Sequence, residues 1–389
     1  MATNLAAERG SREAPVLPPI AMAPRVLLGP GPDMVHPRVT AAMTAPLLGH
    51  LDPDFLAIMD GTQQLLRYAF RTDNRLTLPI SGTGSAGMEA AVASLVEPGD
   101  AVLVCVNGYF GGRIAEMARR HGGQVETIER PWGEVFTPDE VGDALRRRPA
   151  RVVAIVQAET STGALQPLPE IAQAVHEADA VLIVDAVTSL AGVPLEVDGW
   201  DLDVVYSGTQ KCVGAPPGLA PLTIGRRGEE RLAARRTSVD TWYLDLSILQ
   251  RYWGPERTYH HTAPIALNFA LYEALRMIAE EGLEARWARH RRNAQLLWDG
   301  LEELGMTLHV PAEHRLPSLT TVRIPEGVDD AAVRARLLRD YGIEIGGGLG
   351  TLKGTVWRIG LMGHSSRQEN VELLLGALRR ILGRGGEAA

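Results

Sequence analysis

Val181-Leu-Ile-Val-Asp185-Ala-Val-Thr-Ser-Leu190-Ala-Gly-Val-Pro-Leu195-Glu-Val-Asp-Gly-Trp200-Asp-Leu-Asp-Val-Val205-Tyr-Ser-Gly-Thr-Gln210-Lys211 carries the pattern that decides the fold. It holds two short apolar runs, Val181–Asp185 and Asp203–Ser207, each passing into polar or glycine-rich residues. Runs of this length and β-branched content, closed by turn formers, read as buried strands. Outward from this stretch the same pattern recurs at Ala101–Val106 and Val152–Gln157, with helical periodicity at Ile114–His121 and Leu168–Ala178. Strands alternating with helices predict a mostly parallel sheet covered on both faces.

Beyond residue 260 the texture changes. Ile265–Glu281 is a helical pattern stopped by Gly282, and Leu283–Leu304 continues as a long amphipathic helix. Strand patterns follow at Leu319–Ile324 and Val356–Ile359. A capping box, Ser366-x-x-Glu369, precedes a last helix over Val371–Leu382. The reading is an α/β protein with an Ala/Pro/Glu-rich arm over residues 1–24, a large domain over 25–283 and a smaller α+β domain over 284–389.

The chain has 389 residues with a net charge of -8, and its Lys+Arg total is 39. Only Lys211 and Lys353 are lysines, so side-chain amine chemistry has two candidates; arginine stays charged and is no nucleophile. Lys353 lies in Gly350-Thr-Leu-Lys-Gly354 and reads as a solvated charge. Acidity and scattered arginines argue against a nucleic-acid partner. No apolar run is long enough to span a membrane. The N-terminus shows no secretory apolar stretch, and two cysteines without a C-x-x-C make no disulfide framework, so a cytoplasmic location is expected. Cys105 and Cys212 read as small packing residues.

Ligands of open α/β sheets gather at the carboxyl ends of the strands. The residues just after each run are therefore the candidates. Thr77–Ile80 leads into Ser81-Gly-Thr-Gly-Ser-Ala-Gly-Met88, and Ala101–Val106 into Asn107, Gly108, Tyr109 and Phe110. Val152–Gln157 leads to Glu159 and Thr160, Val181–Val184 to Asp185, and Val204–Tyr206 to Gln210 and Lys211. An anion loop, an aromatic, a hydroxyl, a buried acid and a lysine would face one cleft. The set suits pyridoxal phosphate, whose aldehyde needs a lysine, whose ring nitrogen needs a carboxylate and whose phosphate needs amides at a helix N-terminus.

Gly82-x-Gly84-x-x-Gly87 also matches the dinucleotide fingerprint. That motif expects an acid at the end of the next strand, about 20 residues on. Here that strand ends in Asn107-Gly108, and Asp100 stands at its beginning. A nicotinamide reading also leaves Lys211 and Asp185 idle. His260 and His261 are adjacent and would point oppositely in an extended chain, so no metal site is expected.

Gly29-Pro-Gly-Pro32, Ser81-Gly-Thr-Gly-Ser-Ala-Gly-Met-Glu-Ala90, Glu159-Thr-Ser-Thr-Gly163, Asp185, Ser207-Gly-Thr-Gln-Lys211 with Ala215-Pro-Pro-Gly218, Tyr259-His-His-Thr262 and Arg358-Ile-Gly360 together resemble the class V aminotransferases. The nearest likeness is to the alanine–glyoxylate and serine–glyoxylate branches. The resemblance implies a fold-type-I pyridoxal 5'-phosphate enzyme, a homodimer with shared active sites, moving an amino group from a small amino acid to a 2-oxo acid. It implies Lys211 as the Schiff-base lysine, Asp185 as the partner of the ring nitrogen, Phe110 as the stacking aromatic and Thr160 near the phenolic oxygen. Gly84, Ser85, Ala86 and Gln210 would hold the phosphate, joined by Tyr259 and Thr262 from the other subunit. Arg358 would bind the substrate carboxylate, with Gly29 and Thr160 lining the substrate pocket. Tyr259-His-His-Thr262 is similar to the alanine–glyoxylate branch and Phe110 to the serine–glyoxylate branch. The loop Lys211–Leu219 is similar to pyridoxamine–pyruvate aminotransferase, and (S)-ureidoglycine is a further donor used in the wider group.

Overall fold

A seven-stranded sheet organises the larger part of the chain, in the order Leu76–Ser81, Leu219–Ile224, Val204–Tyr206, Val181–Asp185, Val152–Val156, Ala101–Val106, Gln124–Glu129. The computed structural model describes Ala14 and residues 17–383. Much of the expected arm, residues 1–13, 15 and 16, therefore lies outside the described residues. Neighbouring strands run parallel except around Leu219–Ile224, which is antiparallel to both of its neighbours. Six strands therefore end on the same edge, and the loops leaving that edge converge.

Alternation along each strand divides its side chains between two cores. Val153 and Ile155 face one cluster with Leu182, Val184, Ile171 and Leu275, while Val152, Ala154 and Val156 face another with Ile183, Ile80, Met88 and Ile114. Each fully buried Val, Leu or Ile contributes about 1.5–3 kcal/mol, so both faces must be covered by helices. They are: Pro138–Arg147, Pro169–Glu177 and Ile265–Glu281 supply one layer, and Gly84–Leu95 and Tyr109–Arg120 the other.

A second layer follows. Strands Leu319–Arg323, Val356–Gly360 and Gly346–Gly347 form an antiparallel sheet. Helices Leu283–Glu303, Asp330–Tyr341 and Gln368–Gly383 pack on it around Trp298, Trp357 and Leu374. The N-terminal strand Val26–Leu27 pairs with Ile343–Glu344, and Leu28 joins this C-terminal core. The chain then crosses to the large sheet through Gly29–Pro32, which brings that turn to the seam between the layers.

Two local expectations differ from the structure. The helix expected from Ile114 begins at Tyr109, because its first-turn amides are capped from a neighbouring strand end rather than by their own residues. The capping box before the last helix does not form: the helix starts at Gln368, and the Ser366 hydroxyl accepts from Asn293 Nδ2 at 3.2 Å.

Candidate active site

Strand pairing places the acid first. Asp185 lies opposite Tyr206 in the parallel register, at the carboxyl ends of both strands. Its carboxylate accepts from the Val187 amide at 2.9 Å and from the Tyr206 hydroxyl at 2.8 Å. Burial pushes its pKa up to about 6, against the pull of those two donors. Tyr206 is fully buried, and burial next to this acid drives its hydroxyl well above the ordinary phenol range, so it remains a donor.

Lys211 sits in the short turn Thr209–Val213 that follows strand Val204–Tyr206, and is 8 % exposed. Its Nζ donates to the Pro30 carbonyl. Burial lowers its pKa to about 8, helped by the Arg358 charge. A buried amine that is partly neutral near physiological pH can accept a proton or attack a carbonyl, as an ordinary surface lysine cannot. The turn at Gly31 has φ +99°, and a Cβ there would lie 2.5 Å from Lys211 Nζ, so glycine suits both the backbone and the space. Lys353, the other lysine, is exposed.

The glycine-rich segment becomes the start of helix Gly84–Leu95, whose N-cap Thr83 makes no side-chain cap bond. The Gly84 and Ser85 amides are thus left for an anion, while the Ala86 amide donates to the Thr83 carbonyl at 2.7 Å. Across from it the Gln210 Oε1 is buried without a protein partner, and a Cβ on Gly208 would lie 3.0 Å from that oxygen and 3.4 Å from Gly84 Cα. Ser85 Oγ accepts from Arg113 Nη1 at 3.2 Å.

Arg358 reaches the cleft from the C-terminal sheet. Nε donates to the Gly347 carbonyl at 2.7 Å and Nη1 to the Thr160 carbonyl at 3.2 Å. Among the described residues it makes no ion pair, and burial lowers its pKa to about 10. A guanidinium held by two carbonyls and lacking a carboxylate is ready for one. Thr160 Oγ1 is 2.5 Å from Thr188 Oγ1. Gly29 packs its carbonyl on Gly360, two residues beyond Arg358.

Sequence reasoning left Glu159 without a role, and the structure supplies one. Its fully buried carboxylate accepts from the Ser161 amide and hydroxyl at 3.0 and 2.6 Å, and from the Phe110 and Gly111 amides at 3.2 and 3.4 Å. It therefore caps the helix that presents Phe110. Gly108 is needed there because a Cβ would collide with the Glu159 side chain. The available signal was an acid at one strand end beside an Asn-Gly at the next.

Tyr259 and Thr262 stay apart from this cluster. Both are exposed, Tyr259 lies against His50, and neither is hydrogen-bonded to the residues around Lys211. The two histidines between them do not point oppositely: their Nδ1 atoms are 2.8 Å apart, and His261 Nε2 is 2.6 Å from Ser81 Oγ. Burial and the neighbouring His260 lower the His261 pKa to about 4. Asp100, the acid a dinucleotide would need, is engaged by Arg231 and Arg151 at the far end of its strand. Cys105 and Cys212 are buried and unpaired. No helix among the described residues is long and apolar enough to cross a membrane.

These residues fit pyridoxal phosphate. Uncapped amides and an unpartnered amide side chain face where an anion would sit, a two-donor carboxylate suits a protonated ring nitrogen, and a buried amine suits the aldehyde. Comparison with known proteins agrees. The chain matches the family described as Aminotransferase class-V over residues 40–374. It is 53% identical to a solved alanine–glyoxylate aminotransferase from Nostoc sp., with a TM-score of 0.93, covering 94% of this chain and 97% of that one. It is 40% identical to the alanine–glyoxylate aminotransferase of Oryctolagus cuniculus over 96% of this chain and 97% of that protein. It is also 40% identical to the (S)-ureidoglycine–glyoxylate transaminase of Bacillus subtilis over 92% of this chain and 90% of that protein.

Proposed function

The chain belongs to the class V aminotransferases, fold-type-I enzymes dependent on pyridoxal phosphate, and on that premise we propose that it moves an amino group from alanine or serine to glyoxylate, with pyruvate as a second acceptor. The observation that carries this reading is the buried Lys211 amine, set between the Asp185 carboxylate and an Arg358 guanidinium without an acidic partner. Glyoxylate stands first because all three relatives named above carry it in their names. The likeness to the Bacillus subtilis protein favours (S)-ureidoglycine as an alternative donor.

When bound, the cofactor supplies an aldehyde that takes up the amino group and a ring that delocalises the electrons left at Cα. The protein's share is to bind, orient and move protons. Gly84, Ser85, Ala86 and Gln210 hold the phosphate, and Phe110 and Thr160 border the ring. Asp185 holds a proton at the ring nitrogen, with Tyr206 and Val187 keeping its carboxylate ionised and oriented. Arg358 binds the substrate carboxylate beside Gly29 and Thr160 and so aims Cα toward Lys211. Lys211 Nζ would take the Cα proton and pass it to the carbon that carries the cofactor's aldehyde, so the proton moves from substrate to cofactor. Tyr259 and Thr262, exposed on this chain, complete the phosphate site of a second copy in a homodimer. Two buried, unpaired cysteines suit a reducing cytoplasm.

The test is a donor-by-acceptor screen of alanine, serine and (S)-ureidoglycine against glyoxylate and pyruvate, with the Lys211→Arg variant alongside. Glyoxylate-dependent turnover should be present in the natural protein and absent in the variant. Turnover surviving in Lys211→Arg would overturn the role given to Lys211, and no turnover with any pair would overturn the substrate reading.

A further inference from the structure

The residues placed around the phosphate, Gly84, Ser85, Ala86 and Gln210 with Tyr259 and Thr262 from a second copy, are all uncharged. A helix N-terminus supplies only about half a unit of positive charge, so a dianion there would be poorly balanced. One cation stands next to them. Arg113 lies one turn along from Phe110 on helix Tyr109–Arg120, half-buried, and its Nη1 donates to Ser85 Oγ at 3.2 Å. Its guanidinium carbon is 5.0 Å from the Phe110 ring centre and 5.1 Å from that of Tyr109, which fixes its direction. Among the described residues Arg113 makes no ion pair, although arginines on the outer surface, such as Arg120 and Arg146, find acidic partners. Among the described residues it is also the one cation hydrogen-bonded to a side chain of this group.

We propose that Arg113 is a cofactor-phosphate residue: its guanidinium balances the phosphate charge, acting through and beside the Ser85 hydroxyl. The hydroxyl oxygen accepts from Arg113, which leaves the hydroxyl proton free to be donated to an anion, and a charged donor behind it strengthens that bond. The proposal rests on the pyridoxal phosphate reading above and goes beyond it by naming the charge that reading lacks.

The test compares two ligands on cofactor-stripped protein: pyridoxal phosphate and pyridoxal, which has the same ring and aldehyde but no phosphate. Arg113→Met should weaken pyridoxal phosphate by about tenfold or more, the size expected for a charged hydrogen bond. Pyridoxal should be little changed, and Arg113→Lys should recover part of the loss. Equal weakening of both ligands would overturn the proposal, since Arg113 would then act only by packing against Phe110 and Tyr109. Unchanged affinity for both would overturn it as well. If Arg113→Met does not fold, the Arg113→Lys comparison decides: a loss confined to the phosphorylated ligand supports the proposal, and a loss shared by both refutes it. Failure of the unaltered protein to bind pyridoxal phosphate would strike the underlying reading instead, so the two failures are distinct.

Discussion

Replacing Asp185 by asparagine should stabilise the cofactor-free protein more and more as pH rises. Asp185 is 3 % exposed, and burial lifts its pKa from 3.8 to about 6. A rise of about two pH units corresponds to about 3 kcal/mol, at roughly 1.4 kcal/mol per unit. The sign follows from linkage. An acid with a raised folded pKa contributes stability that is fully present below 3.8 and lost as pH climbs through 6. At pH 7.5 the natural protein therefore carries a buried negative charge at a cost, and asparagine removes it. The substitution has a fixed penalty as well. Val187 and Tyr206 both donate to the carboxylate, and an amide can accept from only one of them while its NH2 faces the other, a loss of about 1–2 kcal/mol at every pH. The decisive quantity is thus the change in the stability difference with pH. Urea unfolding of stripped protein at pH 4.5, 6 and 7.5 should show the variant gaining about 2 kcal/mol on the natural protein across that range, the rest of the effect lying below pH 4.5. A difference that stays flat, or moves the other way, would refute the argument that Asp185 is a strained carboxylate awaiting a cation.

Arg358→Ala should raise KM for the amino donor by about ten- to hundredfold, the worth of a charge-assisted carboxylate contact, with a smaller change in kcat. Steady-state kinetics with alanine checks it, and an unchanged KM would remove Arg358 from substrate binding. Gly108→Ala places a methyl group into the Glu159 side chain and should destabilise the fold by about 1–3 kcal/mol, seen as a lower thermal midpoint. Since φ at Gly108 is -178°, the loss measures crowding alone; a midpoint equal to that of the natural protein would show that Glu159 can yield.

The sheet was legible in the sequence because its strands are buried on both faces and read as unbroken apolar runs between turn formers. Asp185 and Lys211 were legible for the same reason: they stand where such runs stop. Other features depend on pairing between distant segments. The Tyr206 hydroxyl reaches Asp185 only because two strands whose paired residues are 21 positions apart lie side by side in a given register. Arg358 and Thr160 meet across 198 positions, through packing of the C-terminal sheet on the large one. Helix Tyr109–Arg120 begins earlier than the periodicity from Ile114 because Glu159 caps it from a segment about 50 residues away in sequence, a contact the local pattern does not carry. The adjacent histidines differ from expectation because their segment bends, which lets His261 bond to Ser81 while its ring meets that of His260.

The antiparallel strand Leu219–Ile224 has a consequence for how the protein is made. Strand Leu76–Ser81, which delivers the anion loop, lies at one edge of the sheet and pairs with nothing in it except Leu219–Ile224. On the ribosome it must therefore wait for about 140 more residues to emerge, roughly 7–30 s at ordinary elongation rates. Through that interval the apolar segment Leu76-Thr-Leu-Pro-Ile80 has no strand to join, and the phosphate loop cannot be set before the lysine turn has been synthesised. Any slowing of translation between residues 81 and 219 lengthens the time in which a nascent chain can pair wrongly with its neighbours.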